Sequence, residues 1–297
     1  MWRETVVRGG GVEFFTRTLG QGDDVAVLLH GWPQDGTCWR HVAPILADAG
    51  MRVVCPDLKG FGASDAPKSG YDPETLADEI SQLIRGLHVR WAVLVGHDWG
   101  GAVAIATAFR HPGRVRGLVV VNAPYRQLDL RRAWHIPLLN VPVIPEVAFA
   151  TRPTARRLVA ASLRYASVRS DVFDEAAIDQ YTAAVSASPR AWLRYYRTLS
   201  RRAVVDWAAC RLRLRLRAEA RARPPLRVPA TVVWGSGDPV APLLLGEQVA
   251  RDLGADLEVV TDAGHFVPEE APEAVARAIL RLAASVPLAP AGDGHGA

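Results

Sequence analysis

The chain has 297 residues, 49% of them hydrophobic and 22% charged, which excludes a disordered polymer and leaves length for one large core or two smaller ones. A formal charge of +4 is too small to mark a nucleic-acid binder, and no apolar run approaches the length of a membrane span. Neither nucleic acid nor a membrane is therefore an expected partner. The N-terminal stretch "MWRETVVRGGGVEFF" lacks the apolar segment of a secretory signal. The three widely spaced cysteines, Cys38, Cys55 and Cys210, form neither a disulfide framework nor a zinc pattern. A reducing, cytoplasmic setting follows as the expectation.

In chain order, "ETVVR" and "VEFFTRTL" flank Gly9-Gly10-Gly11 as an opening β-hairpin. "DVAVLLHG" and "MRVVCPD" are short apolar runs suited to a buried parallel sheet. Between them "WRHVAPILADAG" has helical spacing, with Gly50 as its stop. "YDPETLADEISQLIRGLH" predicts a helix with Asp72 as N-cap and Pro73 at its first position. "WAVLVG" and "GLVVVNAP" supply two further buried strands. The rhythm breaks after Pro124: residues 125–228 are Arg-rich, helical in pattern and without a buried strand. It resumes at Pro229 with "PATVVWGSGD", a helix, "DLEVVTDAGH" and the closing helix "APEAVARAILRLAAS". Strand–helix alternation argues an α/β fold with a mostly parallel central sheet. The organisation expected is a core in two parts, 1–124 and 229–285, a helical cap inserted over 125–228, and a disordered Pro/Gly-rich tail, 286–297. The charge run 211–223, "RLRLRLRAEARAR", is read as a solvated helix or loop, because it lacks the interleaved aromatics of a single-strand binder.

Four features fall at strand ends. "VLVGHDWGGAVA" (93–104) has the frame of a nucleophile elbow, a Gly-bracketed strand-to-helix turn, with Asp98 at the tip where serine is usual. "HGWPQ" (30–34) follows an earlier strand, and the backbone N–H groups of Trp32 and Trp99 stand where oxyanion donors are needed. Asp238 in "WGSGDPV" and His265 in "DAGHFVPEEAP" complete the chain order nucleophile, acid, base. No His/Cys cluster with metal-ligand spacing accompanies them, so neither a metal nor a cofactor is called for. His30, His41, His88 and His111 read as turn or surface histidines.

Together "HGWPQ", "PDLKGFGASDAP", "GHDWGG", "WGSGDPV" and "AGHF" resemble the α/β-hydrolase superfamily, and within it the branch with an aspartate nucleophile. That branch contains the soluble epoxide hydrolases and the haloalkane and fluoroacetate dehalogenases. The resemblance covers 12–123 and 228–285 and is looser over the cap. Aspartate suits the chemistry, since a carboxylate is ionised at neutral pH and attacks without a base. Attack on an ester would give a labile anhydride; attack on a saturated carbon gives an ester of Asp98. His265, oriented by Asp238, then activates water, and the Trp32 and Trp99 amides hold the oxyanion.

The resemblance also implies cap donors for an epoxide oxygen. The segment 188–201, "SPRAWLRYYRTLSR", maps one donor to Tyr196, with Tyr195 and then Tyr181 as fallbacks. Where the family carries a second tyrosine, alignment on Asn140 and Pro142 leaves His135, preceded by Trp134, a pair closer to the fluoroacetate dehalogenases. Asn122 sits where some dehalogenases carry their acid, which leaves Asp238 for that role. The expected function is opening of an epoxide to a vicinal diol on a small electrophilic substrate. The alternatives are haloalkane or haloacid dehalogenation by the same ester, and an α/β-hydrolase-like protein that binds a small ligand with little turnover. A homodimer is left open.

Overall fold

The computed structural model describes residues 1–123, 125, 132, 135–198 and 225–286. The opening hairpin pairs β1 (Arg3–Gly9) with β2 (Val12–Leu19), antiparallel around a turn in which Gly10 and Gly11 take φ of 64° and 83°. Such φ values suit glycine, and the turn matches the twist of the two strands. The remaining strands are β3 (Val25–Leu29), β4 (Arg52–Pro56), β5 (Ala92–His97), β6 (Val115–Val121), β7 (Ala230–Gly235) and β8 (Asp256–Val260). They form one eight-stranded sheet in the order β1-β2-β4-β3-β5-β6-β7-β8. β2 meets β4 antiparallel, and every later neighbour is parallel. Every residue of β3, β5 and β6 is buried, the reason these strands centre on consecutive Val, Leu and Ala residues rather than on an alternation of apolar and polar ones.

Helices cover the sheet. α1 (Val42–Asp48) packs on the closing helix α11 (Pro272–Ser285), and α2 (Pro73–Gly86) packs on α3 (Trp99–Arg110). Asp72 caps α2 as expected, its side chain accepting from Thr75 N at 2.8 Å. Instead of one helix from Trp39, the chain makes a separate 3-10 turn, Gly36–Trp39, capped by the Asp35 side chain on Thr37 N, before α1 starts. A side-chain acceptor two residues upstream favours that tight turn over a longer helix.

After β4 the chain crosses over β3 to reach β5, so the strand order reverses there. In open α/β sheets the carboxyl ends at such a reversal form the ligand crevice. Between β6 and β7 come the inserted helices α4 (His135–Leu139), α5 (Ile144–Ala150), α6 (Arg152–Ala166), α7 (Glu175–Ser186) and α8, whose described part is 189–198. α9 (Leu243–Leu253) and the single turn α10 (Val267–Glu270) flank β8. Trp134, the charge run 211–223 and the tail from 287 lie outside the described residues. Among the described residues no helix is long and apolar enough to cross a membrane, and no group of His, Cys, Asp or Glu could hold a metal ion.

Candidate active site

Asp98 is where β5 turns into α3, with φ 49° and ψ −120°. Positive φ is costly for a residue with a Cβ and persists where the surroundings enforce it. Here they do: a Cβ on Gly100 would come within 2.3 Å of Leu29 O, so the helix start lies directly on β3. The carboxylate projects at the N-terminus of α3, where helix N–H groups favour negative charge. Trp32 N donates to Asp98 Oδ2 at 2.9 Å, and the backbone N–H of Trp99 also binds this carboxylate. Burial pushes the Asp98 pKa up, opposed by the charge of His265 and by these two N–H groups.

Gly31, before Trp32, admits no side chain. A Cβ there would meet Asp98 Cβ at 2.4 Å and Oδ2 at 2.5 Å. Gly31→Ala is therefore expected to push Asp98 off its amide donors, lowering turnover by roughly a hundredfold and stability by about 1–3 kcal/mol. Steady-state kinetics beside thermal melts would check both.

His265 follows β8, and its Nδ1 lies 2.7 Å from Asp238 Oδ2, while its Nε2 is 3.9 Å from Asp98 Oδ1. The second distance exceeds a hydrogen bond, so Nε2 faces Asp98 without binding it directly. Asp238 is fully engaged: Oδ1 accepts from Val240 N and Ala241 N, each at 2.8 Å, and Oδ2 also accepts from Asn122 Nδ2 at 2.7 Å. Burial alone would push His265 down. The charge and hydrogen bond of Asp238, followed by the charges of Asp98 and Glu270, carry it up to about 9.

Asp98, His265, Trp32 and Trp99 line one cavity of about 570 Å³, within the range of small-molecule sites. Its walls are mostly apolar, with Ile136, Leu139 and Phe149 from α4 and α5 and Val249 from α9. Among the described residues no arginine or lysine lines it. Tyr196 and His135 both reach this cavity. The Tyr196 ring stands edge-on to Trp99 at 4.8 Å between centroids, and burial with the nearby Asp98 charge pushes its phenol well above the ordinary range. Burial, then the charge of His265, lowers His135 to about 4. Both side chains are neutral hydrogen-bond donors at pH 7.

The two fallback tyrosines are elsewhere. Tyr195 OH donates to Lys59 O at 3.0 Å, in a cluster with Phe61 and Tyr71. Tyr181 OH donates to Glu269 Oε1 and accepts from Arg40 at 2.7 Å. Neither lines the cavity, because each hydroxyl already serves a buried core partner. His30 corrects another reading: it is fully buried rather than a surface turn residue. Its Nε2 accepts from Leu58 N at 2.8 Å and its Nδ1 bonds Gly31 O at 2.9 Å, which pins the Trp32 loop.

Asn122 was singled out in the sequence only for what it is not. Besides bonding Asp238, its Oδ1 accepts from Gly235 N at 2.9 Å, so it locks the acid's loop to β6. His97, with no role legible in the sequence, donates through Nε2 to His265 O at 2.9 Å and is kept neutral by burial.

The α/β-hydrolase fold model matches residues 25–272. The chain belongs to the α/β-hydrolase fold family. A soluble epoxide hydrolase of Corynebacterium sp. (strain C12) is 30% identical, covering 89% of this chain and 91% of that protein. Epoxide hydrolase A of Mycobacterium tuberculosis is 26% identical over 96% of this chain and 98% of its own. The solved structure of the epoxide hydrolase CorEH superposes with a TM-score of 0.78 at 26% identity, covering 97% of this chain and 100% of that one. This α/β-hydrolase is thus an enzyme whose relatives over nearly the whole chain include epoxide hydrolases, and over the described residues its fold is theirs.

Proposed function

We propose that this α/β-hydrolase opens epoxides to vicinal diols through an ester on Asp98, with the inserted helices acting as a cap. The observation that carries this reading is the cavity's donor set. Tyr196 and His135, both neutral and each bearing an O–H or N–H, share one apolar chamber with a carboxylate and a histidine–aspartate pair.

In the first step an Asp98 oxygen attacks an epoxide carbon. The new C–O bond forms as the ring C–O bond breaks, and the ring oxygen takes a proton from Tyr196 while the neutral His135 serves as a hydrogen-bond donor to it. In the second step His265 Nε2 removes a proton from water, whose oxygen attacks Asp98 Cγ. The oxyanion is held by the Trp32 and Trp99 N–H groups. Collapse breaks the bond between Cγ and the substrate oxygen, which takes the proton from His265 and leaves as the diol. The Asp98 carboxylic acid then returns its proton to His265, which restores the starting state. Esterification removes the Asp98 charge that helps hold His265 protonated; the imidazolium proton passes to the Tyr196 phenolate left by the first step, and Nε2 is free as the base for the second.

The experiment is to offer aryl and long-chain alkyl epoxides beside haloalkanes and haloacids and to follow diol and halide. Diol from the epoxides is expected. Tyr196→Phe keeps the ring against Trp99 and removes one donor, so the alkylation rate is expected to fall roughly a hundredfold with KM little changed. Carbon–halogen cleavage is the second reading, favoured by the buried Trp32 Nε1, which has no acceptor among the described residues, and by the Trp99 indole beside the cavity. Halide release without diol would establish it. The described walls hold no arginine or lysine and His265 is already paired with Asp238, which weighs against haloacids, since a bound carboxylate needs a positive partner of its own. Tight ligand binding with no turnover of either class would favour a receptor.

A further inference from the structure

Glu270 is 1% exposed at the end of α10, and the chemistry above makes no use of it. Its carboxylate gathers four backbone donors. Oε2 accepts from Gly264 N at 3.0 Å, Val168 N at 2.8 Å and Arg169 N at 2.9 Å, and Oε1 accepts from Phe266 N at 3.1 Å. Gly264 and Phe266 are the residues on either side of His265, while Val168 and Arg169 begin the loop that leaves α6. One buried carboxylate therefore ties the histidine's loop to the inserted helices.

The backbone of His265 is tied the same way. Its N–H donates to Ala166 O, the last residue of α6, at 2.7 Å, and its carbonyl accepts from His97. Arg169 closes the set, donating from its guanidinium to Glu270 O at 3.1 Å. The contact is close enough that a Cβ on Gly264 would lie 2.5 Å from Ala166 O. α6 supplies the cavity wall through Leu158, Ala161, Ser162 and Tyr165. The seat of the wall and the aim of the imidazole are therefore held by the same four hydrogen bonds.

We propose that Glu270 is a positioning residue for ester hydrolysis, holding His265 in register with Asp98 and coupling that register to the seating of α6. The proposal rests on the two-step reading, in which Asp98 alkylation does not use His265 and ester hydrolysis does. A mere structural prop would, when lost, weaken both steps together. A positioning residue slows only the second, because a displaced imidazole loses aim while the elbow keeps its own supports in β5 and α3.

The test is single-turnover kinetics with a turned-over epoxide, the Asp98 ester being followed by mass spectrometry in Glu270→Ala, Glu270→Asp and Glu270→Gln, with His265→Ala as control. Gln can place its carbonyl at the Oε2 position and keep three of the four bonds, so it is expected to restore hydrolysis. Asp keeps the charge but is one methylene short of spanning both loops. Asp and Ala are each expected to slow ester hydrolysis roughly tenfold to a hundredfold, with ester accumulating and alkylation unchanged. If Ala fails to fold, the contrast between Asp and Gln decides the matter. Equal loss in both steps, or Asp and Gln both behaving as wild type, would overturn the role of Glu270 while leaving the mechanism standing. No ester in the His265→Ala control would overturn the two-step reading itself, and the proposal with it.

Discussion

His265→Ala will leave the protein loaded with a covalent ester on Asp98. The alkylation step needs an ionised carboxylate, amide donors and an acid at the departing oxygen; the variant keeps the donors and the acid and loses only the His265 charge that favours ionisation of Asp98, so the adduct is sought at neutral to alkaline pH. The hydrolysis step needs a base at Nε2, which His265 places 3.9 Å from Asp98 Oδ1 while Asp238 holds its Nδ1. Loss of a positioned base costs about 10²–10⁴ in rate, so turnover should fall by that factor while one equivalent of substrate is consumed. Intact-protein mass spectrometry, followed by peptide mapping onto residues 93–104, reads the result directly. Substrate bound without an adduct would dismiss the ester mechanism for this protein, whatever the leaving group.

Asp98→Asn is the complementary change, expected to abolish both diol formation and adduct, because an amide oxygen is a far weaker nucleophile and the shape of the elbow is retained. It should also alter His265. In the wild type His265 reaches about 9, above its ordinary 6.5, through Asp238 first and then Asp98 and Glu270. A histidine whose pKa is raised on folding lends stability that is whole below about pH 6.5 and lost as pH climbs through about 9. Removing the Asp98 charge lowers the folded value, so that loss is completed at lower pH in the variant. An imidazole titration followed by NMR, with thermal melts from pH 6 to 10, should show the lower value and the narrower window. A His265 titration unmoved by Asp98→Asn would show that the two side chains are not electrostatically coupled. It would remove the argument that esterification readies the base.

Much of this was legible in the amino-acid order because the signals are local. Gly-bracketed Asp98 between an apolar run and an Ala-rich helix has one economical reading, and Asp238 and His265 each follow a strand closely. The largely apolar runs of β3, β5 and β6 announce a doubly covered parallel sheet without reference to anything distant. Tyr195 and Tyr196 show where such reading stops. They are neighbours in one helix, equally aromatic and equally buried, yet one hydroxyl serves Lys59 O and the other ring borders the cavity. Which of two adjacent side chains faces the chamber depends on the roll of α8 against the core, and no composition rule encodes that roll.

The same limit applies to the residues that support the site. Asn122, His97 and Glu270 lie 116, 168 and up to 102 positions from the partners they hold, and each resembles an ordinary polar residue in its own stretch of chain. That a carboxylate and not a hydroxyl stands at the tip of the elbow is a property of Asp98 alone, and the expectation of a saturated carbon over a carbonyl follows from the sequence. The aim of His265, the neutrality of Tyr196 and His135, and the mostly apolar character of the described walls arise from burial and long-range hydrogen bonding. Desolvation and donor geometry exist only once distant segments are packed together, so the tertiary structure decided them.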